Sequence, residues 1–451
     1  MEEQNAIVDR ELSGVNNSKL VEEIQEEKRQ PLKVDGRDKI FACIYLALGY
    51  GFIQIFRGVD IFQNFAIFTA VYTIVVMAYL YVRGKRPPKE SYFWMVMLLG
   101  IGIPYAWWSI MPLLQMLALI FVAAYWTLAA SGGLMGKQKT SQWVVCDSLN
   151  ALFVVPFSNF VCHVKVLFGE TERREDTKKS LAAKILPIGL GICIAIPILI
   201  IALPLLASAD PMFGKMIMNS SFYIRENLTI YIIQIILSLP VTAYLFGLIY
   251  GGIYSRNTDK IKEENVRAAG RNVRVIPDSA LHTAVLVVSA VYLLFIVLQG
   301  RYLFSAFAGI RPEEFTYSQY ARQGFFELCD IAVLNLGVLL GTNLFTRTER
   351  VKNVWLRRGN VLLSVLTFLI ITTAISKMML YINAYGLTNK RILTMVFMIW
   401  MLLVFGMMIV WQYKVFPIVR ISAMVGAVLF TLLCVVPIDY CIHAFNFYFS
   451  Y

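Results

Sequence analysis

The feature that most constrains this chain is a succession of apolar runs, each about twenty residues long and divided from the next by a short polar or charged island. At about 1.5 Å of rise per helical residue, a run of that length crosses the roughly 30 Å hydrocarbon core of a bilayer. The runs fall at about 39–56, 61–82, 92–106, 109–131, 184–207, 227–251, 281–304, 323–346, 359–381, 392–412 and 420–438. They predict an all-α, polytopic transmembrane helix bundle of about eleven spans. Residues 92–131 form one apolar stretch of 40 residues, too long for one crossing, and divide into two around Pro104, Tyr105 and Trp108.

Composition agrees: 58% of the residues are hydrophobic and 16% charged, against about a quarter charged in soluble domains, so lipid is the expected solvent for most of the chain. The positive-inside rule tests the count independently. With the N-terminus inside, the cytoplasmic segments hold 32 of the 41 Lys and Arg residues, the external ones 8, and Lys377 lies within a span. That parity places the N-terminus in the cytoplasm and the C-terminus outside.

The net charge of +12 is dispersed among loops and forms no stripe or motif for nucleic acid. Residues 1–38 hold ten acidic side chains and read as a flexible cytoplasmic tail in which Leu20 to Gln30 suit a short surface helix. The tail lacks the basic start of a cleavable signal, so the first span is expected to direct insertion. Residues 39–438 make the bundle, and 439–451 read as a short external tail. Residues 142–168 are too apolar for a solvated loop and are interrupted by Pro156. They are expected to lie in the inner interface or to form a re-entrant hairpin.

Seven scattered cysteines and three histidines make neither a disulfide framework nor a zinc site, and no cofactor motif is present. The segment GGLMGKQKT at 132–140 lacks the spacing of a phosphate loop and reads as a basic cytoplasmic loop.

Ionisable groups in hydrocarbon cost about 2.5–3.5 kcal/mol and so mark candidate sites. Three fall clearly within spans: Glu327 and Asp330 in the eighth and Lys377 in the ninth. Glu327, Asp330, Asn335 and Thr342 fall in a wedge of about 140° that is expected to face the bundle. Glu327 and Lys377 are expected at one depth, some 5–6 Å from the outer helix ends. The plainer alternative is that Lys377 snorkels to the surface and Glu327 pairs with Arg322 as a structural lock.

Three segments, ASADPMF (207–213), ARQGFFEL (321–328) and YINAYGLTNKR (381–391), together resemble a family of bacterial multi-pass membrane proteins classified as a domain of unknown function. The resemblance implies a bacterial plasma membrane location and carries no activity. All three segments fall on the external side in the predicted topology. Asp210 with Pro211 suits a helix end, Gly386 a helix-to-helix turn, and Thr388 a cap with Arg391 just inside it.

Together Asp210, Arg322, Glu327, Asp330, Lys377, Tyr381, Tyr385 and Arg391 are a candidate outward-facing polar cluster. The leading expectation is a transporter or permease-like protein that binds a small solute or passes protons, with membrane lipids as its surroundings. The alternatives are an enzyme acting on lipid or envelope precursors, with Glu327 or Asp330 as general base, and a non-catalytic sensor or scaffold. No hydrolase, protease or P-loop signature favours the enzyme.

Overall fold

The computed structural model describes residues 34–56, 60–136, 139–169, 206, 209–210, 212, 226–261, 263–298, 300, 325–346 and 353–449. Among these residues the secondary structure is helical, apart from one isolated bridge between Ile276 and Thr346. The principal helices are α1 (Gly36–Ile55), α2 (Ile61–Val82), α3 (Lys89–Gly102), α4 (Pro112–Ser131), α5 (Val144–Ser158), α6 (Cys162–Phe168), α7 (Glu226–Ile253), α8 (Glu263–Asn272), α9 (Asp278–Leu298), α10 (Phe325–Phe345), α11 (Val354–Tyr385), α12 (Asn389–Trp411), α13 (Ile418–Val435) and α14 (Ile438–Phe449).

Nine helices among the described residues are long and apolar enough to cross a membrane. Of the eleven expected spans, 184–207 lies outside the described residues apart from Leu206. The segment expected at 92–106 becomes α3, fourteen residues long, closed by a 3-10 turn at Pro104–Ala106. At about 21 Å, α3 alone is shorter than the hydrocarbon core. Pro112 opens α4, where a proline needs no helical partner, and Gly132 ends it at φ 82° in the left-handed region.

The chain divides into two compact units. The first comprises Met1–Tyr50 and Ser158–Tyr250, the second Gly51–Phe157 and Gly251–Tyr451. In the first, the Thr242 hydroxyl of α7 donates to Tyr45 O of α1 at 3.2 Å. Gly49 admits this approach, because a Cβ there would collide with Thr242. His163 of α6 is buried against Phe246, with Nε2 at 2.9 Å from Ala42 O. It is a helix-packing histidine.

In the second unit, α2, α3 and α4 pack through Tyr72 and Thr127, whose hydroxyls lie 2.7 Å apart, and through Gln115, which donates to Ile101 O at 2.8 Å. Helices α9 to α12 share an apolar core that includes Leu339, Leu363 and Phe405. Only 11% of the most apolar window of α9 is buried, and Val287, Val291, Leu294 and Leu298 make an exposed aliphatic stripe at helical spacing. In a multi-pass membrane protein, that stripe faces lipid. Residues expected as a short C-terminal tail from 439 instead form α14, whose side chains close the turn between α11 and α12.

Candidate functional site

The most distinctive sequence motif, at 381–391, folds into the corner between α11 and α12. Gly386 ends α11 at φ 75°, and the Thr388 hydroxyl caps α12 by accepting from Arg391 N at 3.4 Å. The Arg391 guanidinium lies 4.1 Å from the centroid of the Tyr381 ring and donates to the carbonyls of Tyr385 and Gly386. The rings of Tyr381 and Tyr385 meet at 5.2 Å. From α14, Asn446 accepts from Leu387 N at 2.7 Å and donates back to Leu387 O at 3.1 Å. Arg391 thus satisfies the carbonyls that a helix C-terminus leaves without partners, and the motif's arginine, threonine and glycine each serve the corner itself.

Arg322 lies outside the described residues. Asp210 belongs to the first unit, is exposed, and accepts from Met212 N at 2.8 Å, as a residue starting a turn does.

The polar wedge of α10 divides. Asn335 and Thr342 are buried, whereas Glu327 and Asp330 are exposed. The inward direction is fixed by Leu328, Ala332, Asn335, Leu339 and Thr342, which centre about 100° round the helix from Glu327 and about 160° from Asp330. The expectation that both carboxylates face the bundle is therefore corrected: the wedge was drawn correctly, but apolar packing turns it outward at one end.

Lys377 behaves differently. It is only 1% exposed, and α11 continues eight residues beyond it to Tyr385. That places it about 12 Å from the helix end rather than 5–6 Å, on the 1.5 Å rise. It does not share the exposed setting of Glu327 and Asp330.

Along the same helix runs a polar ladder. Asn360, Ser364 and Thr367 recur at helical spacing and are buried. Thr342 donates to Asn360 at 3.2 Å, Asn335 donates to Thr367 at 2.8 Å, and Tyr292 of α9 donates to Asn335 at 3.0 Å. At one end Thr346 donates to Asp278 at 2.6 Å. From Asn360 to Lys377 the ladder and the lysine cover about 26 Å along α11.

A second polar network, missed in the sequence, gathers loops at the end of the second unit away from the corner. Glu90 accepts from Thr140 N at 2.9 Å and pairs with Arg420 at 2.8 Å, while Trp94 and Tyr125 both donate to the Thr140 hydroxyl. Arg83 lies over the ring of Tyr254. Beside it Lys85 is half-buried, and that burial lowers its pKa from the usual lysine value. Asp147 and Asn150 of α5 are fully buried and bond to Met135 N and Thr258 O. Polar residues three apart in the apolar stretch 142–168 were the available signal.

An open groove of about 450 Å³ runs between α12 and α13, lined by Leu393, Phe397, Trp400, Gly426, Phe430 and Leu114. Its walls are almost wholly apolar. Among the described residues no group of three or more His, Cys, Asp and Glu is arranged to hold a metal ion.

Residues 93–448 match the family described as Domain of unknown function (DUF4153). The chain belongs to the DUF4153 family. The matched region begins in α3 and ends in α14, so it contains the corner, the polar ladder and Lys377, together with Trp94, Tyr125, Thr140 and Arg420, while Glu90 falls just before it. Helices α1 and α2 precede it. No curated protein and no solved structure matches the chain.

Proposed function

We propose that this DUF4153 protein is a transporter-like protein of the bacterial plasma membrane that carries protons across the bilayer along the α9–α10–α11 interface. The observation that carries this reading is Lys377, a fully buried ammonium-bearing side chain within a candidate membrane span, on the same helix as the polar ladder and about 100° round from it. An interior charge costs about 2.5–3.5 kcal/mol, a burden that packing alone gives no reason to retain. Hydroxyl and amide groups at 360, 364 and 367 supply donors and acceptors along about 10 Å of α11, and Lys377 lies about 15 Å further along the helix. The buried side chains at 335, 342, 360, 364, 367 and 377 replace the outward-facing cluster as the working site, and membrane lipids are expected to fill the apolar groove between α12 and α13.

The test is proton flux. Protein in vesicles holding a pH-sensitive dye is expected to dissipate an imposed pH gradient faster than empty vesicles, and Lys377→Met to slow this at least tenfold. Wild-type flux equal to that of empty vesicles, or undiminished flux in a folded Lys377→Met protein, would overturn the proposal.

A further inference from the structure

At the opposite end of α11's unit from the corner, two buried oxygen atoms have no hydrogen-bond partner: Oδ2 of Asp147 and Oδ1 of Asn150. Both side chains are 0% exposed. Their other polar atoms are already committed, Asp147 Oδ1 accepting from Met135 N at 2.9 Å and Asn150 Nδ2 donating to Thr258 O at 3.1 Å. The residues are three apart on α5, which places their Cβ atoms about 5–6 Å apart on one face. Two lone-pair acceptors cannot satisfy one another, and burying such a group unpaired costs about 1–3 kcal/mol, more when it is charged.

Two nearby donor side chains point to other carboxylates. Arg420 is held by Glu90, and Trp143 Nε1 donates to Glu263 at 3.2 Å. The backbone is specialised at the same place: Asn150–Val154 is a π-helical turn, a feature that recurs at ligand-handling positions. The charge count limits the ligand. One carboxylate and one amide oxygen form a weakly charged, all-oxygen set, and no group of three His, Cys, Asp or Glu side chains that could hold a metal ion occurs among the described residues. Such a set suits a singly charged hard ion and lacks the two or three carboxylates that a divalent ion draws together.

We infer that Asp147 Oδ2 and Asn150 Oδ1 bind a monovalent inorganic cation between α5 and the loops carrying Met135 and Thr258. Asp147 balances the charge, Asn150 supplies a neutral ligand, and the ion ties both loops to the helix. This site shares no residue with the proton path, so either proposal can fail alone.

The full chain in detergent is melted in sodium, potassium or choline chloride at equal ionic strength. Sodium or potassium is expected to raise the melting temperature by about 3–5 °C over choline, as a ligand specific to the folded state does. Asp147→Asn is expected to fold, since its Oδ1 still accepts from Met135 while its new amide donates to Asn150, and to lose the response. Asn150→Ala provides the same comparison should Asp147→Asn fail to fold. A wild-type protein indifferent to all three salts overturns the inference. So does a folded variant that keeps the full response. Indifference combined with greater stability of Asp147→Asn would show instead that Asp147 carries a proton and donates to Asn150.

Discussion

Gly386 shows how far one residue reaches in this structure. Its φ of 75° lies where an L side chain is strained, and a Cβ there would collide with Asn446, the residue that grips Leu387. Gly386→Ala is therefore expected to destabilise the protein by about 1–3 kcal/mol, read as a lowered melting temperature in detergent. Combining it with Asn446→Ala should cost less than the sum of the two changes, because they disrupt one contact. The turn-forming role of Gly386 and the capping role of Thr388 were legible in the sequence, since both follow from local backbone chemistry. The docking of Arg391 on Tyr381 was not, because it depends on how sharply the chain turns at the corner.

Among elements, α10 and α11 are the pair on which the proposed function rests. Asn335 joins three helices by accepting from Tyr292 and donating to Thr367. Asn335→Leu leaves the Tyr292 hydroxyl without its acceptor, while the Thr367 hydroxyl keeps its bond to Leu363 O, and is expected to cost about 1–3 kcal/mol, read by thermal melting. It should also reduce proton flux, whereas a purely structural ladder would show the stability loss alone. Periodicity identified the polar wedge of α10 but not its direction, because the wedge covers less of the helix than the apolar residues that compete for burial. Leu328, Ala332 and Leu339 decide that competition. Helix α5 falls in the stretch expected to be interfacial or re-entrant, but its polar contacts were not foreseen, since the π turn at Asn150 and the partners at Met135 and Thr258 come from folding rather than local propensity.

For the whole molecule, the arrangement of charge makes the most direct prediction. The proposed orientation puts Glu90, Thr140 and Arg420 in the cytoplasm and the corner with α14 outside. In a variant retaining exposed Cys441 of α14 as its one cysteine, an impermeant maleimide is expected to label intact cells. A single cysteine placed instead at Lys139 should react only after lysis. The reverse pattern would invert the topology and refute the orientation.

The sequence by itself determined that the chain is helical and multi-pass, because hydrocarbon forces every backbone polar group to be satisfied within its own segment and so writes each span as a continuous apolar run. Tertiary structure decided which polar residues matter. Glu327 and Asp330 were conspicuous by charge but are turned outward by the apolar face of α10, while Lys377 is carried deeper by a helix that runs on to Tyr385. Asp147 and Asn150 carry no signal of their own within the apolar stretch 142–168, and their significance arises only when Met135 and Thr258 fold against one side of each group and leave the other oxygen bare.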